Sequence, residues 1–352
     1  MTDNNKTRIV VGLSGGVDSS AAASLLVEQG YDVVGITLKV WPQDCVARAE
    51  DKCCGPQAVM DARSVADKLD IPYYLVDESK EFQRDVIDYF AAEYKAGRTP
   101  NPCVMCNEKL KFGNLIDRAR KLGAEYVATG HYARLEQHDG RTVLLRGRDA
   151  RKDQTYFLFS LGQEQLAHMM FPLGELQKSE TREVARCVNL KTAEKQESQE
   201  ICFVPDKDYK KFLTTAGLVE EHRGEIVDTR GQVLGHHDGI EFYTIGQRKG
   251  LGISSPTPMY VIELDPENNR VVVGGEELLL RDEFRIDRCN WIAFDHLAKP
   301  IEASAAIRYN HPGTEATVIP GENGQATVKL REPQRAVTPG QEIGRASCRE
   351  RV

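Results

Sequence analysis

The sequence predicts an α/β protein: a doubly wound parallel sheet at the N-terminal end, then a small central domain, then a C-terminal β-barrel-like domain. Three observations predict it. Strand-like and helix-like segments alternate through the first half, the pattern of a parallel sheet covered by helices. The apolar run Arg8–Gly12 leads into Leu13-Ser14-Gly15-Gly16-Val17-Asp18-Ser19-Ser20 and a helix-like Ala21–Leu26, an order of strand, glycine turn and helix start that suits phosphate. Beyond about residue 205 the helical periodicity gives way to β hairpins.

In chain order, the strand candidates are Ile9–Leu13, Val33–Leu38, Tyr73–Val76 and Tyr126–Thr129, each short and largely β-branched or aromatic. Between them Ala58, Ala62, Val65, Ala66 and Leu69 recur at helical spacing. Leu110, Leu115, Ala119 and Leu122 mark another helix, which Gly123 stops. Ligands of such sheets bind outside the carboxyl ends of the strands, where the glycine turn lies. Farther on, Met259–Leu264 and Arg270–Val273 flank a turn at Pro266–Asn269, and Ala316–Ile319 and Ala326–Leu330 flank a second. The expected domains are 1–205, 206–275 and 276–352.

Apolar residues make up 41% and charged residues 28% of the 352, ordinary for a globular protein. No stretch approaches the roughly 20 apolar residues of a membrane span, and Met1–Lys6 lacks the apolar core of a signal peptide. The expected location is the cytoplasm, away from membranes. There the nine cysteines stay mostly reduced and stand as candidates for catalysis or metal binding. A net charge of −7 argues against blanket nucleic-acid binding. It leaves room for local basic faces at Lys109/Lys111, Arg118/Arg120/Lys121, Arg146/Arg148/Arg151/Lys152, Lys207/Lys210/Lys211 and Arg248/Lys249.

Two familiar glycine loops do not fit. A P-loop needs a lysine after its glycines, and none follows here; a dinucleotide fingerprint needs GxGxxG. In Gly12, Leu13, Ser14, Gly15, Gly16, Val17, Asp18 and Ser19, the glycines permit close backbone approach, and serines and amides face phosphate oxygens at a helix N-terminus. Asp18 is placed to hold Mg²⁺ between phosphates. The stretch resembles the SGGxDS loop of the ATP pyrophosphatase (PP-loop) superfamily. That resemblance implies cleavage of ATP between its α- and β-phosphates, with AMP activating a carbonyl oxygen. It leaves the acceptor open.

The cysteines narrow the acceptor. Thr99-Pro100-Asn101-Pro102-Cys103-Val104-Met105-Cys106-Asn107 holds a CxxC pair in a proline-stiffened loop that leads into a helix expected at Glu108. A cysteine at a helix start feels the positive end of the dipole, which favours the thiolate. Gln196–Val204 presents a third, Cys202. Together with Gly35–Trp41, Ala128–Ala133, Lys152–Leu158, Glu197–Val204 and Tyr243–Leu251, these stretches resemble the tRNA-specific 2-thiouridylase family, over the chain to about Gln341.

The resemblance implies a nucleophile at Cys106, a persulfide carrier at Cys202, and ATP and Mg²⁺ as cofactors. Sulfur would come from a cysteine desulfurase or relay protein, and would reach the activated C2 as persulfide or as hydrosulfide. It also implies that Leu38 and Gly130 lie around the adenylate and that Asn101, Pro102 and Cys103 lie near the target base. His131, Lys152, Asp153, Gln154, Arg308, Tyr309 and Gln341 match tRNA-contacting positions. The implied substrates are tRNAs for Lys, Glu and Gln, thiolated at the wobble uridine.

Two stretches depart from that pattern. Many members have Asp where Cys103 stands, so Cys103, Cys106 and Cys202 are three thiolates able to ligate one iron–sulfur cluster with an open iron. Cys45, Cys53 and Cys54 sit in an insertion-like stretch. After Gln341, Glu342–Val352 has no strand period and reads as foreign sequence from about residue 343, which makes Cys348 meaningless and leaves the last sheet with an open edge. Two rival readings remain at this point: another PP-loop ligase or amidotransferase, and a non-catalytic tRNA-binding protein.

Overall fold

The computed structural model describes residues 6–40, 55–195, 201–204 and 208–346. Trp41, Cys45, Cys53, Cys54, residues 196–200, Lys207 and Cys348 lie outside the described residues. The chain divides into two compact units, one of residues up to Val86 and Cys103–Phe203, the other of Ile87–Pro102 and residues from Val204 onward.

In the first unit the expected strands form β1 (Arg8–Gly12), β2 (Asp32–Lys39), β3 (Tyr73–Asp77) and β4 (Tyr126–Ala128). A hairpin, β5 (Ala133–His138) and β6 (Arg141–Arg146), follows, then the short β7 (Met169–Met170). The main sheet is parallel with order β3-β2-β1-β4-β7. Ile9, Val10 and Val11 are fully buried, as a central parallel strand with both faces covered requires. The strand order reverses between β1 and β4, so the chain leaving β1 emerges at the topological switch point.

Helix α1 (Val17–Glu28) starts there, and α2 (Pro56–Leu69) presents Ala58, Ala62, Val65 and Ala66 to the interior. α1 has buried residues on every side, among them Ala21, Ala22, Ala23 and Leu26. Small side chains let it sit close to its neighbours, including a later helix that begins at Lys178.

The helix expected at Glu108 begins earlier. Pro102–Met105 is helical, Cys106–Asn114 winds as a wide π-helical stretch, and α3 (Leu115–Lys121) completes the element before Gly123 (φ +69°) ends it. Proline suits a first turn because its missing N–H has no partner to lose. Cys103, rather than Cys106, therefore lies at the element's positive end. α4 (Lys178–Cys187) is the last described α-helix of this unit, and a Glu180 carboxylate caps its start by accepting the Gln177 N–H at 2.6 Å.

In the second unit, the helix Tyr89–Lys95 meets α5 (Tyr209–Thr215), with Tyr94 stacked on Tyr209 at 4.7 Å between centroids. β8 (Gly224–Val227), β9 (Val233–His237), β10 (Tyr260–Asp265) and β11 (Arg270–Gly274) form a sheet of order β10-β11-β8-β9. β12 (Leu280–Ile286), β13 (Ile301–Ala306), β14 (Thr314–Pro320), β15 (Ala326–Arg335) and β16 (Gly344–Ala346) form an antiparallel one, β12-β15-β14-β13-β16. Both expected hairpins are present, as β10–β11 and β14–β15. β16 lies where no strand period is legible; its backbone pairs with Ser304–Ala306 of β13, and β16 is itself the last strand on that side of the sheet.

Candidate active site

The glycine loop is held from three sides. Leu13 donates its N–H to the Ile36 carbonyl (2.8 Å) and accepts from Thr37 Oγ1 (2.7 Å), which ties the loop's start to β2. Ser19 Oγ accepts the Ser14 N–H at 3.1 Å, and Ser20 Oγ donates to the Gly16 carbonyl at 2.8 Å. Gly15 has φ +69°, and a Cβ there would stand 2.2 Å from the Ala58 carbonyl oxygen. A Cβ on Gly130, just past β4, would stand 2.6 Å from Asp18 C and Ser19 N. Only glycine permits this approach from α2 on one side and the end of β4 on the other. The first-turn amides of α1 are thereby fixed at the switch point, the arrangement that binds phosphate.

Asp18, in the first turn of α1, is the centre of a polar cluster. Its Oδ1 accepts from Lys178 Nζ at 2.6 Å and from the Tyr132 hydroxyl at 3.0 Å, and that hydroxyl also pairs with Thr181 Oγ1 at 2.9 Å. Lys195 Nζ donates to the Gly15 carbonyl (3.0 Å) and to Asp61 Oδ2 (2.6 Å), clasping the loop from outside. Sequence reasoning missed both lysines, whose partners lie 160 and 180 residues away with no local pattern to mark them. One carboxylate beside a phosphate cradle fits a magnesium ion, which takes few protein ligands and completes its shell with phosphate and water.

The thiols are supported differently. Cys103 and Cys106 lie one turn apart on the helical element, and each is half-buried. Beside them Asn107 is 3% exposed; its Nδ2 donates to the Phe157 carbonyl at 3.1 Å, while its Oδ1 has no partner. The far end of the π-helical stretch is tied to the buried Glu78, which accepts from Asn114 Nδ2 (2.6 Å) and Arg118 (3.2 Å). Cys202 is half-buried in a turn anchored by Phe203, which packs edge-on against Phe82 at 5.7 Å.

The three-thiolate cluster expected of Cys103, Cys106 and Cys202 is not supported. Among the described residues, no group of three or more His, Cys, Asp or Glu side chains is placed to hold a metal ion. Two of the thiols ride one helix, and the third sits on a separate aromatic-anchored turn.

The remaining candidates divide by environment. Leu38 is half-buried near the end of β2. His131 is 8% exposed, packs near Phe112 and Phe171, and shares a 2.8 Å hydrogen bond between Nδ1 and Thr129 Oγ1. Burial, with Lys111 adding repulsion, lowers its pKa to about 3, so the ring is neutral. Lys152 is half-exposed. Asp153 accepts from Gly147 N (3.0 Å) and Thr155 Oγ1 (2.8 Å), with burial raising its pKa, and Gln154 Oε1 accepts the Tyr132 N–H at 3.2 Å.

In the second unit, Asn101 and Pro102 end the segment that follows the helix Tyr89–Lys95. Gln341 Nε2 donates to the Thr99 carbonyl at 2.7 Å, and the Thr99 N–H donates to Pro339 at 2.8 Å. Arg308 and Tyr309 are exposed in the turn after β13. No helix among the described residues is long and apolar enough to cross a membrane.

A parallel sheet with a serine- and glycine-built phosphate cradle at its switch point defines an α/β nucleotide-binding enzyme of the PP-loop type. Residues 7–206 match the family model for the tRNA methyl transferase HUP domain, 210–275 the tRNA methyl transferase PRC-barrel domain, and 281–343 the aminomethyltransferase beta-barrel domain. The tRNA-specific 2-thiouridylase MnmA of Clostridium perfringens is 48% identical over 339 residues, covering 96% of this chain and 94% of the relative. That of Moorella thermoacetica is 50% identical over 337 residues, covering 95% and 94%. The chain is an enzyme of the tRNA-specific 2-thiouridylase family.

Proposed function

We propose that this protein is a cytoplasmic, ATP-dependent tRNA sulfurtransferase that converts the wobble uridine, U34, to 2-thiouridine. The observation that carries the reading is one chain joining a pyrophosphatase-type loop to thiols at Cys106 and Cys202, within a match to 2-thiouridylases over 96% of its length. The loop amides and Gly130 position the triphosphate, and Leu38 lies beside the adenine nucleotide. A magnesium ion held by Asp18 would offset charge on the phosphates.

Uracil O2 attacks the α-phosphorus, the α–β bond breaks, and pyrophosphate leaves with its electron pair; the N3 proton is released. Cys202, charged as a persulfide by a desulfurase or relay protein, adds its outer sulfur to C2. AMP leaves as the C2–O2 bond breaks. The Cys106 thiolate then attacks Cys202 Sγ. The electron pair of the broken S–S bond stays on the sulfur attached to C2, N3 regains a proton, and a Cys106–Cys202 disulfide remains. A thiol reductant restores both residues for the next turnover. Asn101, Pro102 and Cys103 face the target base, and His131, Lys152, Asp153, Gln154, Arg308, Tyr309 and Gln341 contact the tRNA, with tRNAs for Lys, Glu and Gln as substrates.

The test is sulfur incorporation into unmodified tRNA with ATP, Mg²⁺ and a desulfurase, followed by nucleoside mass spectrometry. The expected product is 2-thiouridine at position 34, with one pyrophosphate per sulfur. Pyrophosphate release without a thionucleoside would point to another PP-loop ligase, and tRNA binding without pyrophosphate release to a non-catalytic binder.

A further inference from the structure

A P-loop carries within its own sequence the lysine that reaches the far phosphates, and this glycine loop has none. The fold brings one from 160 residues downstream. Lys178 opens α4; its main-chain N–H is held by the buried Asp149 at 3.0 Å, and its Nζ reaches Asp18 Oδ1 at 2.6 Å while lying 5.6 Å from the centre of the Tyr132 ring. The side chain is only 13% exposed.

A cation in the first turn stands at the wrong end of a helix dipole, a placement that costs about 0.3–1 kcal/mol. α4 packs beside α1, whose own N-terminus is the phosphate cradle. The start of α4 is itself met by the Asp149 and Glu180 carboxylates, which leaves the α1 N-terminus and the Lys178 ammonium to converge on one corner with the Asp18 carboxylate between them. That corner suits more negative charge than Asp18 supplies.

The geometry points to Lys178 as the residue that binds the pyrophosphate half of ATP. This rests on the proposed cleavage between the α- and β-phosphates. The ammonium pairs with Asp18; with ATP bound it turns on its flexible stem to the β- and γ-phosphates and follows the charge that develops there as the α–β bond breaks. The Tyr132 hydroxyl remains on Asp18 and holds the carboxylate in place. No covalent bond to the protein is made or broken.

The experiment is calorimetric titration of the full chain with inorganic pyrophosphate and, separately, with AMP. Lys178→Ala is expected to weaken pyrophosphate binding about 10- to 100-fold, the loss of a charge-assisted hydrogen bond, while leaving AMP affinity within about twofold. Lys178→Arg is expected to recover part of the loss. Should Lys178→Ala fold poorly, Lys178→Gln keeps a hydrogen-bond donor beside Asp18 but not the charge, and carries the same expectation. Unchanged pyrophosphate affinity, or a parallel loss for both ligands, would make Lys178 a counter-ion for Asp18 alone and overturn the inference. A native chain that binds neither ligand would overturn the ATP reading itself.

Discussion

Within one unit, the glycine loop and the thiol-bearing helix are built on opposite terms. Every turn of the loop meets a fixed partner: Ala58 below Gly15, Gly130 against Asp18 and Ser19, Thr37 on Leu13. The helix that carries Cys103 and Cys106 widens into a π-helical stretch at Cys106 itself and buries an Asn107 oxygen without a partner. π-helical turns and unsatisfied buried acceptors both cost stability and gather at functional sites. Splitting a phosphoanhydride needs donors already in place where charge develops, whereas in the proposed reaction the Cys106 thiol must reach the Cys202 sulfur, and gains from a backbone with room to rearrange.

The sharpest break between the two regions is expected from Cys106→Ser and Cys202→Ser. Each abolishes 2-thiouridine formation, because a serine hydroxyl forms neither a persulfide nor a disulfide, while tRNA-dependent pyrophosphate release stays measurable. A serine variant that still makes 2-thiouridine would erase the division. Gly15→Ala is the converse. A left-handed backbone and a clash with Ala58 together cost about 3 kcal/mol, so ATP affinity drops about 100-fold in a titration. Alkylation of Cys106 proceeds unchanged.

Glu78→Gln tests how firmly the π-helical stretch is tied at its far end. Removing the buried charge from Asn114 and Arg118 lowers unfolding free energy by about 1–3 kcal/mol in a denaturant titration, and a neutral result would show that the stretch is held elsewhere. His131 packs against Phe112 of that stretch and hydrogen-bonds Thr129 beside the loop, so it reports on both regions. Its folded pKa of about 3 lies below its ordinary 6.5, so between those values the unfolded chain binds a proton that the folded chain refuses. Its stabilising contribution is complete above pH 6.5 and falls by up to about 1.4 kcal/mol per pH unit on acidification. His131→Gln is expected to flatten that slope in urea titrations between pH 4 and 7 (roughly the span in which folded and unfolded forms differ in charge).

The loop was legible because strand, glycine and helix signals are local. β1 to β4 emerge within one or two residues of their expected bounds for the same reason. The hairpin β5–β6 went unread although Asp139-Gly140, both at positive φ, is the favoured residue pair for a two-residue turn. The early helix start was also written locally, in Asn101-Pro102, a cap-type residue before a first-turn proline. Lys178 and Lys195 carry no such mark, since each acts across the sheet's full crossover. The π-helical widening at Cys106 has no periodicity to read and follows from what packs around it.

The Tyr89–Lys95 helix and the segment after it belong with the β-rich unit, although the chain reaches them more than a hundred residues before α5. Tyr94 stacks on Tyr209, Gly97 (φ +67°) lies against Leu264 and Pro266, and Thr99 is bonded to Pro339 and Gln341. A fragment cut after residue 205 would therefore keep the glycine loop and Cys103, Cys106 and Cys202, yet remove the partners on which Tyr94, Gly97 and Thr99 rest. A soluble, nucleotide-binding fragment ending at 205 is expected to expose Tyr94 and to be cleaved by protease between residues 87 and 102.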